Sequence, residues 1–146
     1  MTEQDFAKIS VADWISDHPV EAVIVEPETS MADLAQKMLS TQCRDAYIAD
    51  PHGKIIGHLG FGKVASHLLS EHRPEQSHRQ LFSRVTEPVA SELMEPHYAF
   101  ARIDESLCEV IHRQLESGID ILLVLTESGE KLGAIKFQEL VEESLK

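Results

Sequence analysis

Four stretches of the chain carry hydrophobic residues at the spacing of an α-helix, and they form two similar pairs. Within each stretch the apolar positions recur every three or four residues, which places them on one face of a helix. The apolar residues of the first pair are Met31, Leu34, Ala35, Met38 and Leu39, then Phe61, Val64, Ala65, Leu68 and Leu69. Those of the second pair are Leu107, Val110, Ile111 and Leu115, then Phe137, Leu140, Val141 and Leu145. The pattern predicts four amphipathic helices, each with one buried face.

Short hydrophobic runs between the two helices of each pair predict a hairpin. In the first pair, the strands Ala46–Ala49 and Lys54–Leu59 flank a turn signal at Asp50–Gly53. In the second pair, the strand Ile121–Leu125 leads into a turn at Gly129 and then into a second apolar run. Both hairpins therefore have the same plan.

Each pair of helices is also preceded by a helical turn and an entering strand. The helical turns are predicted at Val11–Ile15 and Val89–Met94, and the strands at Val20–Val25 and Tyr98–Ile103. Residues 1–10 are polar and are interpreted as a lead-in to the first repeat.

The pattern occurs twice, at an offset of 76 positions from the first helix of each pair onward and with two residues' difference in the segment before it. Ser30–Val64 aligns with Ser106–Leu140 without a gap, and both copies open with a serine three residues before a carboxylate, Asp33 or Glu109. This is a capping-box pattern, in which the hydroxyl accepts a hydrogen bond from a backbone N–H. Small repeats of this kind stabilise one another by packing. The sequence therefore predicts an α+β fold of two β-α-β-β-α repeats, packed sheet to sheet with pseudo-two-fold symmetry.

The repeats are predicted at residues 11–70 and 88–146, and a polar connector at residues 71–87 joins them. Within this connector, a short helix is predicted around Gln80–Phe82 and Val85. Together the two repeats would form one module.

The composition is that of an ordinary globular protein, with 146 residues of which 42% are hydrophobic and 26% are charged. No hydrophobic run is long enough to span a bilayer, and the first residues lack the basic start and apolar core of a secretory signal. The two cysteines, Cys43 and Cys108, need no disulfide. We therefore expect a cytoplasmic protein with reduced thiols and no membrane partner.

Negative charge is concentrated at the two ends of the chain. Residues 1–33 carry one basic and eight acidic residues, and residues 85–146 carry five basic and thirteen acidic residues. Residues 34–84 carry seven basic and four acidic residues. The net charge of −12 disfavours nucleic acid and anionic membranes as partners. The mildly basic middle either receives a small anion or is simply a solvated surface.

The repeated Ser-x-x-(Asp/Glu) helix, the glycine hairpin and the apolar run into Gly57 or Gly133 resemble CBS domains, named after cystathionine β-synthase. A tandem pair of these domains is called a Bateman module, and the resemblance covers about Val11–Leu69 and Val89–Leu145. It implies a regulatory protein that binds adenosine-containing ligands, such as AMP, ATP or S-adenosylmethionine, in clefts between the repeats. It also implies that no cofactor is required. In the family's closing motif, a Thr or Ser hydroxyl holds phosphate and an Asp or Asn three residues later accepts hydrogen bonds from ribose.

Both copies depart from this closing motif. The first copy has Gly60 at the hydroxyl position and Lys63 at the carboxylate position, whereas the second has Lys136 and Glu139. A lysine cannot accept a hydrogen bond from ribose, but a glutamate can, and Lys136 can meet phosphate as a point charge. The second copy is therefore predicted to be the better ligand site. The alternative for Lys136 and Glu139 is an exposed pair on the last helix.

The residues that lead into the first hairpin strand also contribute to ligand contacts in the family. Here they are Arg44, Asp45 and Tyr47 in the first copy, and Asp120 and Ile121 in the second. The resemblance implies that Arg44 faces a phosphate and that Ile121 packs against a base. The alternatives are a surface charge for Arg44 and a core strand residue for Ile121.

The sequence shows no catalytic or metal-binding motif. His67, His72 and His78 are separated by five and six positions, which does not place them on one helix face, and Pro74 interrupts them. A P-loop, a Cys-x-x-Cys pair and a Ser–His–Asp order are also absent from the sequence. We therefore expect neither a metal site nor an enzyme.

Taken with the resemblance, these features predict a stand-alone regulatory module that binds an AMP-like ligand in a cleft between its repeats and signals to an unknown protein. The alternative is an interaction or dimerisation module that has lost nucleotide binding. Members of the family commonly form disc-shaped homodimers through their helices. The apolar stripes at Met31, Leu34 and Met38 and at Leu107, Val110 and Ile111 favour a homodimer, because together they exceed what one small core is expected to cover.

Overall fold

The computed structural model describes residues 2–70 and 88–146. The helix predicted around Gln80–Phe82, together with His72 and His78, lies outside the described residues.

The described residues form seven helices and six strands in the predicted order. The helices are α1 (Glu3–Ala7), α2 (Val11–Asp17), α3 (Met31–Thr41), α4 (Phe61–Ser70), α5 (Ala90–Leu93), α6 (Leu107–Ser117) and α7 (Phe137–Ser144). The strands are β1 (Val23–Val25), β2 (Asp45–Ala49), β3 (Ile55–Gly60), β4 (Ala101–Arg102), β5 (Ile121–Leu125) and β6 (Lys131–Lys136). The two entering strands, β1 and β4, are shorter than the sequence pattern predicts.

The strands form two three-stranded sheets, in the orders β1-β2-β3 and β4-β5-β6. In both sheets the entering strand runs parallel to its neighbour, and Ala101 lies opposite Val124 in the second sheet. The hairpin strands β5 and β6 are antiparallel, with Ile121 opposite Lys136. These mixed sheets and their helices confirm the predicted α+β class.

The offset of 76 positions is also present in the backbone geometry. The hydroxyls of Ser30 and Ser106 accept hydrogen bonds from the backbone N–H three residues on, at 3.1 and 3.4 Å. Gly53 and Gly129 form the hairpin turns with φ of 85° and 88°, a left-handed conformation that glycine adopts without strain. Both capping serines and both turn glycines are therefore in their predicted places.

The chain divides into two compact units. One unit contains Met1–Ala22, Gly53–Ile55 and Tyr98–Lys146, and the other contains Val23–His52 and Ile56–His97. The sheet of β4, β5 and β6 lies in the first unit. Strands β1, β2 and most of β3 lie in the second. The repeat boundaries at residues 11–70 and 88–146 stay a prediction from the sequence.

Residues 1–10 contain a helix instead of only a polar lead-in. The side chain of Thr2 caps α1 and forms a reciprocal capping box with Asp5. Phe6 is only 5% exposed and joins the hydrophobic core of the first unit. The few apolar residues of this short segment do not recur at helical spacing, so the sequence pattern could not reveal this helix.

Most apolar positions of α3 and α6 are covered within the chain, whereas Leu39 and Leu115 are exposed. Met31, Leu34 and Leu107 are completely buried, and Met38 is 1% exposed. The premise that these four residues exceed what one core can cover is therefore wrong, and the homodimer itself stays a prediction. No helix in the described part of the chain is both long and apolar enough to cross a membrane.

Candidate functional site

The helix that closes each repeat begins directly after the last strand of its hairpin. The backbone N–H of Phe61, at the start of α4, donates to the carbonyl of Arg44 at 2.8 Å. In the other unit, the N–H of Phe137, at the start of α7, donates to the carbonyl of Asp120 at 2.7 Å. In both units the residue before the hairpin is therefore tied to the first turn of the closing helix.

The four predicted site residues of the second copy meet at the start of α7. Ile121 lies opposite Lys136 in the sheet, and Asp120 holds the first N–H of the helix through its carbonyl. Lys136 is the N-cap residue and Glu139 lies in the first turn. The side chain of Ile121 is 3% exposed and belongs to the buried strand β5, whereas Lys136 is half-buried. Within the described residues, Lys136 has no ion-pair partner.

Glu139 has an unusual environment for a carboxylate. Its Oε1 atom is buried, yet no hydrogen-bond donor reaches it from the residues that the structure describes. A buried acceptor without a donor costs about 1–3 kcal/mol, because it has lost water without gaining a partner. The positive end of the α7 dipole partly offsets this cost. Within the described residues, this oxygen is a buried acceptor without a donor.

The predicted site residues of the first copy already have partners in their own unit. Lys63 Nζ lies 2.9 Å from Glu95 Oε1, and this hydrogen bond lowers the pKa of Glu95. Asp45 is buried and its Oδ1 lies 2.8 Å from His58 Nε2. The side chain of Tyr47 is completely buried, with its ring centroid 5.1 Å from that of His58.

Arg44, like Lys63, is exposed. Its guanidinium group lies 5.5 Å from the ring centroid of Phe61, within the range of a cation–π interaction. The structure thus brings Arg44 to the start of α4, whereas Asp45 and Lys63 are engaged with His58 and Glu95.

An open cleft of about 350 Å³ lies beside the entering strand of the second copy. It is lined by Tyr98, Ala99, Phe100, Arg102, Glu105 and Arg113. The lining does not include Asp120, Ile121, Lys136 or Glu139, and β4 pairs with Val124 and Leu125 at the end of β5. The volume falls in the range of about 300–1,000 Å³ that is typical of small-molecule sites.

Two arginines give this cleft different electrostatic roles. Arg113 donates to both carboxylate oxygens of Glu105, at 2.8 and 2.6 Å, and to the carbonyl of Phe100 at 2.7 Å. The hydrogen bond from Arg113 holds the pKa of Glu105 below its ordinary value. Arg102 is exposed and lies 5.7 Å from the ring centroid of Phe100. Arg113 is therefore neutralised locally, while Arg102 keeps an exposed positive charge.

Sequence analysis did not single out Tyr98, Phe100 or Gln114 as site residues. Gln114 is 2% exposed, and its amide group donates to the carbonyls of Ile119, Asp120 and Ile135 at 3.2–3.5 Å. The signals available in the sequence were a glutamine within the apolar stripe of α6 and two aromatic residues before β4.

Several solved structures share this fold. CBSX2 in complex with AMP aligns with a TM-score of 0.72 and 19% identity, covering 94% of this chain and 96% of that one. The CBS domain pair of protein MJ0100, in complex with 5′-methylthioadenosine and S-adenosyl-L-methionine, gives 0.68 and 15%, covering 89% and 94%. A CBS domain-containing protein from Thermotoga maritima gives 0.68 and 21%, covering 92% and 93%. No protein-family model and no curated protein sequence matches the chain.

The chain therefore has the fold of a tandem CBS-domain pair, the architecture of a Bateman module. The low identities mean that the shared property is the fold, and the site has to be judged from this chain's own residues.

Proposed function

We propose that this protein is a regulatory module that binds an AMP-like adenosyl ligand at the start of α7 and signals its presence to another protein. The observation that carries the proposal is the buried Oε1 atom of Glu139, which lacks a donor among the described residues. A carboxylate at this position can accept hydrogen bonds from the two neighbouring hydroxyls of a ribose. A rotation of the Glu139 side chain would bring this oxygen to the ligand, and binding would then supply the missing partner.

The surroundings of Glu139 suit the rest of such a ligand. The N-terminal end of α7 offers free backbone N–H groups and a positive dipole to a phosphate, and Lys136 adds a cation at the N-cap. The rings of Tyr98 and Phe100 line an open cleft beside β4 in the same unit. Aromatic rings of this kind can stack on an adenine base.

The first copy offers less for the same ligand. Lys63 stands where Glu139 stands in the second copy, and it already pairs with Glu95. Asp45 pairs with His58. We therefore propose one ligand site per chain, in the second repeat. The AMP, 5′-methylthioadenosine and S-adenosylmethionine complexes of structures with this fold support the choice of an adenosyl ligand.

Calorimetric titration with AMP, ATP and S-adenosylmethionine tests the ligand class, with GMP as a control for general nucleotide binding. Binding of at least one adenosyl compound, and weaker binding of GMP, is the expected result. Equal affinity for AMP and GMP would contradict recognition of the adenosyl group.

We expect AMP to bind about tenfold more tightly than metal-free ATP, a difference of about 1.4 kcal/mol. The ends of the chain are acidic, and Arg113 is neutralised by Glu105, which leaves Lys136 and Arg102 as the nearby cations. Two cations neutralise the charge of one phosphate group better than that of three phosphate groups, unless Mg²⁺ assists. The margin should shrink at higher salt, since charges are screened over about 10 Å at 0.1 M. Metal-free ATP binding as tightly as AMP at low salt would refute this expectation.

A second candidate function is a dimerisation module without a ligand, and one observation favours it. Leu39 and Leu115 occupy equivalent positions in the two copies and are 62% and 64% exposed. Leu69 and Leu145 are likewise equivalent and are 70% and 81% exposed. Large apolar side chains left in water at matching positions are typical of a surface that another protein covers.

We expect a homodimer that depends on these leucines. The double variant Leu39→Lys, Leu115→Lys should sediment as a 16.3 kDa monomer at tens of micromolar protein, because the added charges would be buried on pairing. Leu132→Lys is a matched control, since this leucine is 49% exposed but lies on β6. A wild-type protein that sediments only as a monomer would rule out the dimer.

A further inference from the structure

Three metal-binding side chains of different types meet at the contact between α1 and α6, in the first unit. They are Glu3, Cys108 and His112, and their ligand atoms all lie within 4.8 Å of one another. Glu3 Oε1 lies 3.0 Å from His112 Nε2 and 3.4 Å from Cys108 Sγ. We propose that these residues form a three-ligand site for a divalent transition-metal ion with the preferences of Zn²⁺.

The position of each side chain follows from local structure. Cys108 and His112 are four residues apart on α6, so they lie on the same helix face. Glu3 is the first residue of α1, whose orientation is fixed by the Thr2 capping box and by the burial of Phe6 in the core. The spacing on α6 and the cap of α1 are local features, and the contact between α1 and α6 brings the three side chains together.

Two of the three ligand-atom distances are close to those of a tetrahedral zinc site, and the third is at most 4.8 Å. With bonds of about 2.1 Å to nitrogen and oxygen and about 2.3 Å to sulfur, neighbouring ligand atoms are separated by about 3.4–3.6 Å. The two distances measured here, 3.0 and 3.4 Å, differ from these values by a few tenths of an ångström. Small side-chain rotations are therefore sufficient to admit the ion.

The donor set selects the metal and leaves one position open. A thiolate together with an imidazole favours zinc over Mg²⁺ or Ca²⁺, which prefer oxygen ligands. Binding converts the Cys108 thiol to a thiolate, and its proton passes to the solvent. The side chains of Glu3 and His112 are 72% and 64% exposed, so water can fill the fourth position. The net charge of −12 also attracts a cation.

Titration of the untagged, reduced full chain with Co²⁺, a spectroscopic substitute for zinc, tests the proposal without any nucleotide. We expect a sulfur-to-cobalt charge-transfer band that saturates at one equivalent and is displaced by Zn²⁺ but not by Mg²⁺. The absence of this band, or its displacement by equimolar Mg²⁺, would overturn the proposal.

Variants identify the ligands. Cys108→Ala should abolish the band, and His112→Ala should weaken zinc binding more than about 100-fold, since even outer partners of a metal contribute about 10–100-fold. Glu3→Gln should weaken it at least about tenfold, because an amide oxygen is a poorer ligand. Cys43→Ala and Glu109→Gln are controls for thiol and carboxylate content and should bind as the wild type does. A charge-transfer band that survives Cys108→Ala, or an equal loss of zinc binding in the control variants, would show that the metal binds to other groups of the protein.

Discussion

Replacing Glu139 with alanine should lower the affinity for AMP by about 1–3 kcal/mol, which is about 5- to 150-fold. The Oε1 atom of Glu139 is buried and has no donor among the described residues. A hydrogen bond from the ligand to this oxygen would therefore displace little water. Removing this acceptor leaves the ribose hydroxyls without a charged partner. Calorimetric titration of both proteins with AMP measures the change directly.

Two further variants test whether AMP binding depends on the charge of Glu139 and on its location in the second copy. Glu139→Gln keeps an acceptor oxygen but removes the charge. Its affinity for AMP should therefore lie between that of the wild type and that of Glu139→Ala. Lys63→Ala changes the equivalent residue of the first copy, which pairs with Glu95, and should leave AMP binding unchanged. If Lys63→Ala weakens AMP binding as much as Glu139→Ala does, the assignment of the site to the second copy is wrong.

Gly57→Ala should destabilise the fold by about 1–3 kcal/mol, the usual cost of overpacking. A Cβ atom at this position would overlap Met94 Sδ and lie 2.9 Å from Met94 Cβ. Rotation of the methionine side chain can move its sulfur away but cannot move its Cβ, so the backbone must shift. The free energy of unfolding, measured by urea denaturation, should report the loss.

A double-mutant cycle and a control make this test specific. Met94→Ala should recover part of the cost of Gly57→Ala, because it removes the sulfur and Cγ from the clash. Gly62→Ala should not destabilise, since no atom lies within 4 Å of a Cβ added there, and alanine favours the helix. Additive effects of Gly57→Ala and Met94→Ala would show that the close contact is not the cause.

The repeat could be predicted from the sequence because its signals are local. Helical periodicity, a serine before each helix and a glycine in each turn need only a few neighbouring residues to be recognised. The backbone angles of Gly53 and Gly129 and the caps at Ser30 and Ser106 show the same offset that the sequence pattern indicates.

The partners of the predicted site residues could not be inferred in the same way, because they are distant in sequence. Lys63 and Glu95 are 32 positions apart, and Glu3 and His112 are 109 positions apart. No periodic pattern connects such residues. Helix α1 was missed for a related reason, since only Phe6 ties it to the core.

Determining how many AMP molecules bind per chain tests the central claim most directly. The second copy keeps an acceptor at Glu139, whereas the equivalent Lys63 is paired with Glu95. Calorimetry on the wild-type chain should therefore give one AMP per chain, and Glu139→Ala should remove most of that binding. Two equal sites per chain, or full binding by Glu139→Ala, would contradict the proposed function.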